Sequence, residues 1–87
     1  MNPLKILGSN ARRLRLACEL TQQTVAEKGG LTYKHYQALE SGRLENPTFL
    51  TIEKLATLFN VEYWKLFHPT LIPEPGIKKL RPKRFRH

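Results

Sequence analysis

TQQTVAEKGGLTYKHYQALESG, residues 21 to 42, is the stretch whose reading decides the fold. It reads as two short helices joined by a tight turn. The Thr21 hydroxyl is placed to cap the first helix by accepting a bond from a free N–H of the opening turn. Val25 and Ala26 give that helix an inward face, and Gly29-Gly30 stop it, because glycine tolerates a left-handed backbone. Thr32 offers a second cap, and Tyr36 and Leu39 mark one buried stripe on the helix that follows. Leu31 lies between the helices, placed to pack under both, and Gly42 ends the second.

The register of these residues carries more than a helical hairpin needs. Ala26 is small where a crossing helix must come close, and Gly30 falls where the turn needs a positive φ. Apolar residues at 25, 31, 36 and 39 then hold the helices at a steep angle. Two helices joined in this way by a short glycine-containing turn form the DNA-binding helix-turn-helix arrangement.

Working outward, the N-terminal side supplies a first helix over residues 4–18, with Asn2-Pro3 as its start, since proline suits the first helical position. Leu4, Leu7, Ala11, Leu14 and Cys18 share one face at spacings of three and four, and Arg12 and Arg13 lie on the other. Those arginines suit phosphate or simple solvation equally well. Cys18 reads as a small buried apolar residue rather than a reactive thiol. On the C-terminal side Asn46-Pro47 opens a fourth helix, with Asn46 or Thr48 as cap and Pro47 in the first turn. Phe49, Ile52, Leu55, Ala56 and Phe59 recur every three or four residues and supply most of the remaining core, and Asn60 can end the helix left-handed. Val61 to Phe67 reads as a short fifth helix. Its Tyr63, Trp64 and Phe67 serve either to seal the core or as a dimer surface, aromatics being enriched at interfaces.

The sequence thus divides into a domain over 1–68 and a Pro-rich basic tail over 69–87. The 87 residues carry 15 Lys and Arg against 7 Asp and Glu, a net charge of +8 that favours polyanions. The tail holds six of the basic residues and one acid, so the folded part is only mildly basic. A solvated tail that adds general affinity for DNA is the plainer reading, and an arm lying in a minor groove the sharper one. No run of 18 or more apolar residues and no secretory signal pattern occurs, and the single cysteine cannot form an internal disulfide. The expectation is a cytoplasmic protein that does not engage a membrane.

The stretch resembles the helix-turn-helix of the lambdoid phage repressor and Cro family, also called the Xre family. The resemblance runs from about Leu7 to Phe67. It rests on Leu7-Gly8, Leu14-Arg15, Leu20-Thr21-Gln22, Val25-Ala26, Gly30-Leu31-Thr32, the LESGR run from Leu39 to Arg43, Asn46-Pro47, the EKLA run from Glu53 to Ala56, and Val61. It implies an all-α, compact five-helix domain that binds duplex DNA through a recognition helix over 32–41. Tyr33, Lys34 and Ala38 match the family's base-reading positions, with Gln37 close by. Lys34 can donate to guanine, Gln37 can pair with adenine, and Ala38 or the Tyr33 ring can lie on a thymine methyl. Tyr33 has a second reading, as cover for Tyr36 and the core edge.

Phosphate contacts are expected from Gln22, Thr32, His35, Arg43, Asn46 and Thr48, around helix N-termini whose unsatisfied N–H groups attract anions. Glu45 departs from the pattern, since that loop is often basic in the family. Glu19 stands where the family usually has glycine, which implies a differently shaped helix end. The resemblance also pairs Arg15 with Glu40, and a planar guanidinium can hold a carboxylate by two parallel bonds. Tyr63, Trp64 and Phe67 are the dimer candidates, because the family commonly pairs through its last helix.

Nothing in the sequence supports catalysis. His35, His68, His87 and Cys18 match no zinc spacing, and there is no glycine-rich phosphate loop or paired acid suited to hydrolysis. No cofactor is expected. The function implied is operator occupancy by a transcriptional regulator. Its partner would be double-stranded DNA with a palindromic site, bound by a homodimer formed beforehand or only on the DNA. Two alternatives stand beside it. One is a protein-interaction module, antitoxin-like or coactivator-like, working through the aromatic last helix; the other is RNA binding led by the basic tail.

Overall fold

Four helices begin on a side-chain cap and end on a left-handed residue. In the computed structural model, which describes residues 2–69, these are α1 (Pro3–Ala17), α2 (Gln22–Gly29), α3 (Tyr33–Glu40) and α4 (Phe49–Phe59). The caps are Asn2, Thr21, Thr32 and Thr48, whose side chains accept from the N–H groups of Leu4, Thr24, His35 and Thr51 at 2.9–3.1 Å. Each cap satisfies one orphan donor and contributes about 1 kcal/mol.

The exits share one geometry as well. Glu19, Gly30, Gly42 and Asn60 take φ values of 60°, 71°, 79° and 57°. After each, an N–H reaches back five residues: Leu20 to Arg15, Leu31 to Ala26, Arg43 to Ala38 and Val61 to Ala56, at 2.8–3.1 Å. This double-back satisfies carbonyls that a helix end otherwise leaves open. Glu19 therefore follows the path a glycine would take, contrary to the expectation of a differently shaped end. The cost of a β-carbon in that region is about 1 kcal/mol.

α1 packs on α3 and α4, and α2 packs on α3 and α4. Leu7, Leu14, Val25, Tyr36, Leu39, Leu55 and Phe59 fill the space between them, with Leu20, Leu31 and Val61 sealing its edges. Cys18 is fully buried among them, and burial pushes its thiol up from the ordinary value. At the α1–α3 crossing Gly8 lies against backbone. A β-carbon there would stand 2.5 Å from the carbonyl oxygens of both Leu39 and Glu40. Only glycine lets the helices approach this closely.

Three expectations need correction. The fifth helix is a single 3₁₀ segment, Tyr63–Phe67, so the described residues contain four α-helices rather than five, and no strand. Five residues are too few to offset α-helix nucleation. Leu66 anchors the segment in the core, and the buried Asn10 amide of α1 donates to the carbonyls of Leu66 (2.8 Å) and His68 (2.9 Å). Pro47 lies before the Thr48 cap, outside α4, and not in its first turn. Phe49 is 55% exposed rather than a core residue. As the first residue of α4 it overhangs the core edge, where it meets Tyr63 edge-on at 5.2 Å. The inward face of α4 is instead Thr51, Ile52, Leu55, Ala56 and Phe59. The basic tail lies outside the described residues apart from Pro69.

Candidate nucleic-acid interface

The turn between α2 and α3 sets the geometry of the candidate interface. Gly30 reverses the chain, Leu31 drops towards the core, and Thr32 starts α3 three residues after α2 ends. Tyr36 and Leu39 then lock the inner side of α3, which leaves Tyr33 and Lys34 exposed and His35, Gln37 and Ala38 half-buried. The two exposed residues stand at the N-terminal end of the helix, the end that enters the major groove in helix-turn-helix proteins. Tyr33 keeps 47% of its surface, while Tyr36 beneath the helix is fully buried. Gln37 donates its amide hydrogen to the Tyr33 hydroxyl oxygen at 3.1 Å, across one helical turn.

The inner end of α3 is fixed by one carboxylate. Arg15 of α1 grips Glu40 through two bonds, Nε to Oε2 at 2.6 Å and Nη2 to Oε1 at 3.2 Å. The Tyr36 hydroxyl donates to Oε2 at 2.6 Å, and the Gln22 amide donates to Oε1 at 2.9 Å. The Arg15 fork also donates to the Leu20 carbonyl at 3.0 Å. The side chains of Arg15 and Glu40 are only 11% and 5% exposed. Charges removed from water this far require partners, and here all three guanidinium nitrogens and both carboxylate oxygens have them. No buried side-chain nitrogen or oxygen among the described residues lacks a hydrogen bond.

The same network sets the protonation of its members. Burial alone would raise the Glu40 carboxyl, but the bonds from Arg15, Tyr36 and Gln22 outweigh it and hold the group below its ordinary value. The bond to Glu40 raises the Arg15 guanidinium further. Burial, with the Glu40 bond added, lifts the Tyr36 phenol far above the ordinary tyrosine range. The hub is thus an ionised pair at neutral pH, flanked by a neutral phenol.

Around this frame the remaining candidate residues fall as follows. Gln22 is half-buried, with its amide turned to Glu40. The Thr32 hydroxyl is used as the α3 cap, and the Thr48 hydroxyl as the α4 cap with a further bond to the Thr51 hydroxyl at 3.1 Å. Arg43 is exposed beyond α3, and its Nε donates to Ser41 Oγ at 2.8 Å, which itself donates to the Ala38 carbonyl at 3.1 Å. Asn46 is exposed in the loop before α4.

The dimer candidates differ in exposure. Phe67 is half-buried against the core, whereas Tyr63 and Trp64 are 48% and 51% exposed. The Trp64 indole donates to Glu62 at 2.7 Å, and the Lys65 ammonium stands 5.6 Å from its ring centroid. Phe49, beside Tyr63, extends this apolar surface onto α4, where Leu50 is also 59% exposed. Phe49 and Leu50 were not among the candidates, and neither was Asn10, which ties α1 to the 3₁₀ segment. A polar residue on the buried stripe between Leu7 and Leu14 was the available signal for Asn10.

No group of three or more potential metal ligands gathers among the described residues, and no described helix is long and apolar enough to cross a membrane.

Comparison with known proteins agrees with this geometry. Residues 12–63 match the family model described as helix-turn-helix. An uncharacterized HTH-type transcriptional regulator of Sinorhizobium fredii, y4dJ, is 39% identical over 70 residues, covering 80% of this chain and 90% of that protein. Among solved structures, the restriction-modification controller protein C.AhdI of Aeromonas hydrophila superposes with a TM-score of 0.68 at 36% identity, over 74% of this chain and 96% of that one. With the capped α2–turn–α3 unit and its exposed outer face, these likenesses lead to one conclusion: the chain belongs to the Xre-like helix-turn-helix family of DNA-binding transcriptional regulators.

Proposed function

We propose that this protein regulates transcription by occupying a palindromic operator as a homodimer, with α3 of each subunit in the major groove. The observation that carries the reading is the contrast on α3: the helix is held rigidly from inside through Glu40, while Tyr33 and Lys34 project into solvent. Lys34 donates to guanine O6 and N7, Gln37 addresses adenine, and Ala38 meets a thymine methyl. Arg43, Asn46, His35 and the N–H groups of the capped turns at Thr32 and Thr48 grip the flanking phosphates. Gln22 gives one amide hydrogen to Glu40 and keeps the other for a phosphate.

The exposed Tyr63 and Trp64, with Phe49 against Tyr63, support pairing of two copies through this side, and Phe67 backs the surface from the core edge. Pairing would set half-sites about one turn, roughly 34 Å, apart. The likeness to a restriction-modification controller supports a regulator of this class. Phosphate contacts supply most of the affinity, so binding weakens steeply with salt.

Selection of the tightest binders from a pool of random duplex DNA tests the reading. A palindrome should emerge, and Lys34→Ala should relax one position in each half-site. Weak binding that salt abolishes, with no motif, would mean that the protein does not act through an operator. Tight capture of a protein partner through Tyr63 and Trp64, without duplex affinity, would then favour an interaction module.

A further inference from the structure

The operator reading treats Tyr33 and Gln37 as two separate readers, but the structure joins them. Gln37 is half-buried on the outer side of α3, and its Nε2 donates to the Tyr33 oxygen at 3.1 Å. An unrestrained glutamine amide can turn over and exchange its oxygen with its nitrogen, and so offers a base either arrangement. In the structure the nitrogen, not the oxygen, faces Tyr33. One N–H and Oε1 then remain for a partner ahead of the helix. That pair, one donor beside one acceptor, complements the N7 acceptor and N6 donor of adenine in the major groove. The phenol keeps its own hydrogen, because the oxygen accepts from Gln37 rather than donating to it.

Within the operator reading, on which this inference rests, we infer that Tyr33 acts as a positioning residue: its hydroxyl fixes the Gln37 amide so that Gln37 selects adenine at one position of each half-site. Tyr33 is nearly half exposed and Gln37 lies one turn further along the same face, so both can stand over neighbouring base pairs of one groove. Adenine selection is set before DNA arrives, and little side-chain freedom is left to lose on binding.

The test measures dissociation constants for the selected operator and for duplexes with each half-site position replaced by the other three bases. The wild type is compared with Gln37→Ala, Tyr33→Phe and the double variant. Gln37→Ala should lose the adenine preference at one position, a change of about 5- to 150-fold, the usual value of a bidentate base contact. Tyr33→Phe keeps the ring and removes only the oxygen. It should weaken the preference at that same position by about two- to tenfold, the effect of one neutral hydrogen bond. The double variant should match Gln37→Ala there.

A merely structural bond would lower the melting temperature or weaken all duplexes alike, and the base-by-base readout distinguishes that. The inference is overturned if Tyr33→Phe leaves the preference intact. It is equally overturned if its effect falls on a different position from Gln37→Ala, which would make Tyr33 an independent reader, or if Gln37→Ala changes no position. A wild-type protein that selects no motif at all overturns the operator reading together with this one.

Discussion

Along the inner side of α3, Glu40 receives four hydrogen bonds and Tyr36 and Leu39 are sealed in the core; along the outer side, Tyr33 keeps about half its surface and Lys34 points into solvent. The polar groups of the inner side are consumed by the fold. Most of those on the outer side remain available, and the Gln37–Tyr33 bond is the exception that fixes an orientation without using up the amide. The contrast explains how eight residues can serve as a rigid reader. A helix this short is not stable alone, so its rigidity must come from tertiary contacts on the side that faces away from the ligand. Changes on the inner side should therefore act on stability, and changes on the outer side on DNA.

Breaking the inner side should give the largest effect. Arg15→Met leaves the Glu40 carboxylate buried without its counter-charge, at a cost of about 3 kcal/mol. A thermal melt should fall by roughly 15 °C. Glu40→Gln should also lower the melting temperature, because it strands the guanidinium instead. If both variants melt like wild type, the hub does not hold the fold. Gly8→Ala comes next, at about 2 kcal/mol, because its new methyl must push two backbone carbonyls aside. An unchanged melt for this variant would show that α1 and α3 do not cross so closely.

Acid should dissolve the contrast selectively. The folded Glu40 carboxyl lies below its ordinary value, so the unfolded chain binds a proton at Glu40 more readily than the folded one. Its stabilising contribution is then complete above the unfolded carboxyl value of about 4.3 and is lost as pH falls through the lower folded value. Melts between pH 7 and pH 3 should drop most steeply at the acid end, and Glu40→Gln should flatten that drop. A wild-type and a Glu40→Gln curve of the same slope would contradict the assignment. The smallest effect on stability is expected on the outer side. Lys34→Ala should melt within about 0.5 kcal/mol of wild type, as exposed substitutions generally do, and alter only DNA selection. A large loss of stability would mean that the outer side also builds the fold.

Much of the frame was legible because it rests on local chemistry. Threonines at 21, 32 and 48 cap helices through their own hydroxyls, and Gly30, Gly42 and Asn60 end helices in a left-handed conformation that glycine and asparagine tolerate. What escaped the sequence depends on distant partners. Tyr36 reads as part of an apolar stripe; Glu40 lies one turn along the same helix, but it is Arg15 of α1 that holds the carboxylate where the Tyr36 hydroxyl meets it. Gln22 fits a phosphate-binding position, yet its bond to the same carboxylate depends on how α2 meets α3. Phe49 keeps the periodicity of a core residue, but it is the first residue of α4, at the rim, so the apolar pattern runs past the core. The last segment is tied down by Asn10, more than fifty residues earlier in the chain, which donates to the carbonyls of Leu66 and His68.

The most direct measurement of the central claim is a set of backbone amide NMR spectra recorded while a selected half-site duplex is added to the protein. Half a site keeps pairing between copies out of the result. The shifts should concentrate on Thr32 to Ala38, with smaller ones at Gln22 and from Arg43 to Thr48, and should spare Tyr63 and Trp64. Shifts centred on Tyr63, Trp64 and Phe49 with α3 unmoved would contradict the account, and would assign the outer side of α3 no part in meeting DNA.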